Sequence, residues 1–157
     1  MTDPKTISSA KAHEIYSEFV SGMNLALLEG DGCYVCAHTI FPFVMRTETA
    51  TLAVDCPDHA RMLVAEHSRA LAEHGVTEYF SLTSKAEFDS AAQITGHHTT
   101  HVLRGTERVV HPYPGSVCLK LVGGLWRHHT AFVGVHDTAW PIGLQDVRPP
   151  RNLPFPQ

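Results

Sequence analysis

The second half of the chain alternates apolar and polar residues over four segments, and this pattern constrains the fold more than any other feature. The segments are 77–88, 91–104, 116–122 and 125–135. A period of two residues is that of a β-strand, because successive side chains point to opposite faces of a sheet. Gly123-Gly124, between the last two segments, is typical of a two-residue hairpin turn. We therefore predict a meander of four consecutive strands.

The first half of the chain has the period of helices. Over 8–29, apolar residues recur every three or four positions and form one stripe along a helix. The residues of this stripe are Ala12, Tyr16, Phe19, Val20, Met23 and Leu27. A second helix is predicted from Pro57 to about His74, with Asp55 as its N-cap.

One strand is predicted between the two helices. Residues 39–49 are rich in aromatic and β-branched residues. Pro42 indicates an edge position or a bulge, since proline cannot donate a hydrogen bond to a neighbouring strand. Helices that are segregated from a run of strands are typical of an α+β domain rather than of a parallel doubly wound sheet. We predict one α+β domain in which the helices pack on a curved antiparallel sheet.

Composition and charge exclude several classes of protein. The 157 residues are the size of one domain, and a formal net charge of −4 without a basic run argues against nucleic-acid binding. No segment has the length of a membrane span, and the polar N-terminus is not followed by the apolar core of a signal peptide. The four cysteines do not suggest a disulfide scaffold, so we expect a cytoplasmic protein.

The order of the elements resembles the nuclear transport factor two-like superfamily, which includes SnoaL-like and ketosteroid isomerase-like proteins. The stretches that carry the resemblance are the helix 8–29, the strand 41–48, the histidine-rich stretch 94–104 and Gly124-Leu-Trp-Arg127. The resemblance implies a cystatin-like cone, in which the curved sheet wraps around the N-terminal helices and leaves an interior pocket. It also implies a homodimer formed through the outer sheet face.

The expected domain organisation is a single cone over 8–140, with a disordered N-terminus at 1–7. The last segment, 141–157, is rich in proline and is predicted to be an extended tail. The resemblance does not select an activity, because this fold hosts isomerases, dehydratases, cyclases, hydrolases and non-catalytic binders.

Two residues are candidates for proton transfer. His98 is on the more apolar face of its predicted strand and is expected to point into the cone. An imidazole there can move a proton near neutral pH, and Tyr16 is a candidate hydrogen-bond donor. Glu48 could serve as base or orienting carboxylate, although strict alternation places it opposite Phe43 unless a bulge shifts the register. The alternatives are a core histidine that is simply hydrogen-bonded and a solvated glutamate.

Seven large residues are candidates for the lining of the pocket. They are Tyr16, Phe19, Met23, Phe43, Met45, Phe80 and Trp126. Most are expected to be core residues, because a cone of this size leaves space for only some of them to touch a ligand. His128 and His129 are adjacent in the last strand and face opposite ways, so one of them can line the pocket or the dimer face.

The 12 histidines and the pair Cys33-x-x-Cys36 raise the question of a metal or redox site. On a strand, His97 and His101 are about 13 Å apart and cannot share one ion, whereas on a helix they could. A zinc site would need two further ligands near the cysteines, and a thioredoxin-like site would need the pair between a strand and a helix. We predict that no metal and no organic cofactor is used.

Two hypotheses of function follow. In the first, a small, mostly apolar molecule binds in the pocket and is converted by proton transfer, as by an isomerase, dehydratase or cyclase. In the second, the protein is a non-catalytic dimeric module that binds a ligand or another protein. An open cavity that holds a carboxylate and a histidine would favour the enzyme. A cavity filled by Phe, Met and Trp side chains, with an apolar outer sheet face, would favour the module.

Overall fold

The structure, a computed structural model, describes the backbone of residues 4–135 and the side chains from Ser8 onward. These residues form three helices and seven strands. The helices are α1 (Pro4–Glu29), α2 (Gly32–Ala37) and α3 (Pro57–Glu73). The strands are β1 (Thr39–Arg46), β2 (Thr51–Val54), β3 (Glu78–Ser90), β4 (Gln93–Arg104), β5 (Glu107–Arg108), β6 (Tyr113–Val122) and β7 (Leu125–Val133). The α+β class is confirmed.

The strands form one curved, unclosed sheet. Its order is β2-β1-β7-β6-β4-β3, and the short strand β5 pairs with β4. The predicted meander is present as the antiparallel pairs β3–β4, β4–β6 and β6–β7. β1 pairs with β7 in parallel orientation, so the sheet is mixed rather than purely antiparallel. Parallel pairing is possible here because a long stretch of chain, and not a hairpin, connects these two strands.

β1 is an inner strand, since β2 and β7 flank it. The sequence pattern did not predict β2, which is only four residues long and places Val54 opposite Phe43. Of the two alternatives that Pro42 left open, the bulge is the one found: the register of β1 against β7 shifts between Thr39 and Val44. Such irregularities bend a strand and increase the curvature of its sheet.

α1 packs against β3 and β4 through the predicted apolar stripe. Tyr16 is completely buried, and the stripe joins Ile94 of β4 and Leu119 of β6 in one core cluster. The buried residues that α1 contributes to this cluster are Ala12, Tyr16, Phe19, Val20, Met23 and Ala26. Each Å² of apolar surface that is buried contributes about 25 cal/mol to stability. This face of α1 therefore stabilises the packing of the helix on the sheet.

Two helix boundaries differ from the sequence prediction. The connector 33–38 is mostly helical, because Asp31 accepts a hydrogen bond from the Tyr34 backbone N–H at 3.1 Å and caps α2. α3 starts at the predicted Pro57, but its N-cap is Cys56, which makes no side-chain capping bond, and not Asp55.

The ends of the chain fall partly outside the described residues. α1 begins at Pro4, four residues earlier than the predicted start. The predicted extended tail 141–157 lies outside the described residues, as do 1–3 and 136–140. Within the part of the chain that is described, no helix combines the length and the apolar character needed to cross a membrane.

Candidate functional site

A cavity of about 220 Å³ lies between the helices and the inner face of the sheet. Most of the side chains around it are aliphatic or aromatic, and its polar groups are hydroxyls, one amide and the imidazoles of His67, His98 and His128. Within residues 8–135, no Asp, Glu, Lys or Arg lines it. The cavity is therefore apolar and uncharged, with polar groups that can form hydrogen bonds.

Five of the residues predicted for the site line this cavity. They are Phe19, Met23, Phe43, Met45 and His98. They come from α1, β1 and β4, which are adjacent to the cavity on different sides. The other predicted residues, Tyr16, Glu48, Phe80 and Trp126, lie elsewhere.

Phe80 is on the outer face of the sheet, where its ring stacks on that of His101. The sequence pattern placed Phe80 on the same face as Ala86, but the register of β3 against β4 shifts between Thr83 and Lys85. This β-bulge reverses the faces, because the extra residue, Ser84, consumes one step of the alternation. Residues of β3 before the bulge that point inward are therefore Tyr79, Ser81 and Thr83, each of which is half-buried.

Glu48 does not join His98. β1 ends at Arg46, and Glu48 lies exposed in the turn that leads to β2, with its backbone N–H donating to the Val135 carbonyl at 3.3 Å. The strand predicted over 39–49 is thus three residues too long. Trp126 also lies away from the cavity lining, since it packs beside Phe88, with ring centroids 6.3 Å apart.

Tyr16 is a partner of His98 rather than a wall of the cavity. Its hydroxyl lies 2.7 Å from Nδ1 of His98. Burial raises the pKa of Tyr16, and a hydrogen bond from the Val117 backbone only partly opposes this, so the phenol keeps its proton. Because the Val117 N–H already donates to the phenol oxygen, we assign the phenol as the donor to Nδ1 of His98. With Nδ1 accepting, the neutral imidazole of His98 carries its proton on Nε2.

His98 is neutral at physiological pH. Burial, and to a smaller extent the neighbouring His97, lowers the pKa of His98 to about 4. A neutral imidazole with its proton on Nε2 can donate a hydrogen bond from that atom, which lies beside Gly115, another residue of the cavity lining. The predicted inward orientation of His98 agrees with the structure.

Two glycines make room for the Tyr16–His98 pair. A Cβ atom on Gly96 would lie 2.3 Å from the ring of Tyr16, and one on Gly115 would lie 2.4 Å from Nε2 of His98. Gly115 is the cross-strand neighbour of His98 and lines the cavity. The absence of side chains at these two positions allows both rings to pack closely on the sheet.

His128 lines the cavity from β7. Its Nε2 lies 2.9 Å from the Thr39 hydroxyl, and its ring stacks on Phe43 at a centroid distance of 4.2 Å. Burial is the first cause that lowers the pKa of His128 to about 3, and the nearby His38 and His129 add to it. Of the adjacent pair in β7, His128 is thus the histidine at the pocket.

Other polar groups complete the lining. The hydroxyls of Tyr79 and Tyr113 are 3.5 Å apart, and the ring of His67 meets that of Tyr79 edge-on. Asn24 of α1 donates to the Ser81 hydroxyl at 2.9 Å. Burial lowers the pKa of His67 to about 4. The sequence pattern did not single out His67 or Asn24, because each is one polar residue among many on an amphipathic helix.

The cysteine pair and two histidines of the run, His97 and His101, do not line this cavity. Cys33 and Cys36 are free thiols on α2, and Cys36 contacts the Pro57 carbonyl at 3.5 Å. His97 and His101 lie on the outer face of β4, as expected for a strand. Among the described residues, no group of three or more His, Cys, Asp or Glu side chains is arranged to hold a metal ion.

Comparisons with known proteins identify the fold. No protein-family model matches the chain, and no curated protein matches it. An NTF2-like protein with a cystatin-like fold from Novosphingobium aromaticivorans is similar in structure, with a TM-score of 0.61 and 14% identity over 82% of this chain and 84% of that one. A protein of unknown function from Mycobacterium tuberculosis gives a TM-score of 0.61 and 11% identity, over 85% of both chains.

A third similar structure is a domain of unknown function with a cystatin-like fold from Nostoc punctiforme. Its TM-score is 0.61 at 13% identity, over 80% of this chain and 78% of that one. The chain has the NTF2-like, cystatin-like fold that these structures share, which confirms the resemblance in the sequence. At these identities the likeness describes the fold, and function has to be argued from the cavity.

Proposed function

We propose that the cavity binds a small, neutral, mostly apolar molecule, and that Nε2 of His98 donates a hydrogen bond to an acceptor oxygen of this ligand, such as a carbonyl. The observation that carries the proposal is the 2.7 Å hydrogen bond from Tyr16, which leaves the proton of His98 on the nitrogen beside Gly115 at the cavity wall. The donor is thus fixed in place before the ligand arrives.

The charge of the lining supports a neutral ligand. An anion would meet no Lys or Arg, and a cation would meet no Asp or Glu, among the described residues around the cavity. Burial of an unpaired charge costs far more than the hydrogen bonds of neutral groups return. Charged molecules are therefore expected to bind much more weakly than neutral ones of the same shape.

The volume of the cavity sets the size of the ligand. An apolar cavity of about 150 Å³ holds a benzene molecule, and the cavity of this protein measures about 220 Å³. By the same scale it can hold a molecule of roughly nine non-hydrogen atoms. Benzylacetone, a methyl ketone with an apolar phenyl end, is a probe close to this size.

The test compares three molecules of nearly equal shape by titration calorimetry. Benzylacetone, with its carbonyl, is expected to bind about five- to tenfold more tightly than butylbenzene, which offers no acceptor for His98. Phenylpropanoate, an anion, is expected to bind at least about tenfold more weakly than butylbenzene. Equal binding of the anion and the ketone, or no binding of the ketone, would contradict the proposal.

Matched variants assign the effect to His98. His98→Phe keeps a planar ring but removes the donor, so the preference for benzylacetone over butylbenzene is expected to disappear. His97→Phe changes the neighbouring residue on the outer face and should leave the preference intact.

The same experiment separates catalysis from binding alone. Proton transfer in the cavity would exchange the hydrogens beside the carbonyl of bound benzylacetone for deuterium in D₂O, which NMR detects. The proton on Nε2 of His98 favours this isomerase- or lyase-like activity only as a donor that polarises the carbonyl. The lone pair of the ring is engaged by Tyr16, and the exposed position of Glu48 removes the carboxylate expected to act as base. Exchange that is lost in His98→Phe supports an enzyme, and binding without exchange supports a non-catalytic binder.

A homodimer formed through the outer sheet face is the second part of the proposal. Leu82 is 59% exposed on this face, and Phe80 and Phe132 are also exposed there. Sedimentation equilibrium over a range of protein concentrations should show a dimer, and Leu82→Lys should shift it toward the monomer. Leu25→Lys is the matched control, because Leu25 is equally exposed but lies on α1. A wild-type protein that is monomeric at all concentrations excludes this dimer.

A further inference from the structure

The hydrogen bonds around Thr39 determine which nitrogen of His128 carries the proton. Thr39 Oγ1 lies 2.6 Å from the Val35 carbonyl oxygen, which can only accept, so the single hydroxyl proton of Thr39 is donated there. The same Oγ1 lies 2.9 Å from Nε2 of His128. Since Thr39 has no second proton to give, it accepts from Nε2, and the neutral ring of His128 leaves Nδ1 as an acceptor.

The ring of His128 is held firmly in this state. Phe43 stacks on it, and Phe19 packs at a centroid distance of 5.4 Å. Thr39 itself is buried, and its bond to Val35 fixes it to the end of α2. The two histidines at the cavity thus present opposite polarity, since His98 offers a proton and His128 offers a lone pair.

We infer that the ligand of this cavity carries a hydrogen-bond donor, such as a hydroxyl, for Nδ1 of His128, in addition to the acceptor oxygen for His98. This inference rests on the proposed function and narrows it to a substrate class: neutral molecules with a carbonyl and a hydroxyl joined by an apolar frame. A ligand that lacks the hydroxyl leaves the acceptor of His128 without a partner in a cavity poor in polar groups.

The strands set the arrangement of the two groups on the ligand. β6 lies between β4 and β7, and the partners of His98 and His128 on β6 are Gly115 and Leu119. Two strand spacings across and four residues along separate the two histidine backbones by about 16 Å. The hydroxyl and the carbonyl should therefore stand at opposite ends of an elongated molecule and not on neighbouring atoms.

The test uses three ketones that differ only at the far end: benzylacetone, para-hydroxybenzylacetone and para-methoxybenzylacetone. The hydroxyl is expected to tighten binding about five- to tenfold over benzylacetone, whereas the methoxy group, which cannot donate, gives no gain. In His128→Phe the gain from the hydroxyl should vanish while benzylacetone still binds. His97→Phe should still bind para-hydroxybenzylacetone more tightly than benzylacetone.

A second measurement uses the unmodified protein, in case His128→Phe does not fold. Nitrogen NMR should show the proton of His128 on Nε2 in the free protein, and para-hydroxybenzylacetone should shift the Nδ1 resonance upfield as it donates to this atom. para-Methoxybenzylacetone, which has no proton to donate, should leave the Nδ1 resonance unshifted. A proton on Nδ1 in the free protein would overturn the inference.

The outcomes separate this inference from the function on which it rests. If none of the three ketones binds, the proposed function fails and the inference fails with it. Two outcomes overturn only the inference and leave the donor role of His98 in place. In the first, benzylacetone binds but para-hydroxybenzylacetone binds no more tightly. In the second, the tighter binding of para-hydroxybenzylacetone persists in His128→Phe.

Discussion

Mild acid is expected to unfold this protein, because burial keeps the imidazoles of His67, His98 and His128 neutral in the folded state. The pKa values of His67 and His98 are lowered to about 4, and that of His128 to about 3, by burial first of all. In the unfolded chain these rings titrate near pH 6.5. Below that pH the unfolded chain binds protons that the folded chain does not, so the free energy of unfolding falls as the pH falls toward the folded pKa values.

The expected slope is large. Each ring lowers the free energy of unfolding by about 1.4 kcal/mol per pH unit in this window, and the three together by about 4 kcal/mol per unit. A typical domain has only about 5–15 kcal/mol of stability, so most of it should be lost near pH 5. Urea unfolding at several pH values between 7.5 and 5 measures the slope. Toward pH 5 it should approach three protons taken up by these rings, and His59 and His129, whose pKa values burial also lowers, add to it.

Variants assign this slope to the buried rings. His128→Phe should reduce the uptake by about one proton, because the unfolded chain then has one histidine fewer to protonate in this window. Leu25→Gln replaces an exposed side chain that does not titrate and should leave the uptake unchanged. An uptake of one proton or less in the wild-type protein would show that the three rings are not neutral and buried.

Gly96→Ala is expected to cause the largest loss of stability among single methyl additions in the described core. The new Cβ would lie 2.3 Å from the ring of Tyr16, which is completely buried and cannot move without displacing its neighbours in the core. Overpacking of this kind costs about 1–3 kcal/mol. Tyr16 would also be drawn away from His98, so the variant should lose the preference for ketones together with stability.

Gly22→Ala is the matched control for this substitution. Its Cβ would lie even closer to a neighbour, 2.2 Å from the Tyr34 hydroxyl, but this atom is the far end of a half-buried side chain that can swing aside. Alanine also favours the helix at this position by up to about 1 kcal/mol. Chemical denaturation should therefore find Gly22→Ala close to wild type, and equal losses in the two variants would contradict the packing described for Tyr16.

The sequence predicted the order of the elements and the inward direction of His98, because β4 alternates without interruption. Its residues 94, 96, 98, 100 and 102 all face inward, so the period of two was sufficient there. In β3 the same argument gave the wrong face for Phe80. The bulge at Ser84 depends on how β3 pairs with β4, and the alternation of apolar and polar residues in the sequence does not reveal it. β1 ends at Arg46 because the chain turns there into β2, where the Thr47 N–H donates to the Ala50 carbonyl, and the sequence pattern had not predicted β2.

The chemistry of the cavity could not be predicted, because it depends on residues that are distant in the chain. Thr39 and His128 are 89 positions apart, and their hydrogen bond exists only because β1 pairs with β7 in a parallel orientation that the sequence pattern did not indicate. Tyr16 was predicted as a donor, but its acceptor, His98, is 82 positions away. Proton positions on the histidines follow from such contacts and not from local sequence.

The most direct test of the account is a crystal structure of the protein with para-bromobenzylacetone, in which anomalous scattering locates the bromine. We expect the ligand inside the cavity, with its carbonyl oxygen within hydrogen-bond distance of Nε2 of His98. Bromine bound only on the outer face near Phe80 and Leu82, with nothing in the cavity, would contradict the claim that the neutral cavity around His98 is the binding site.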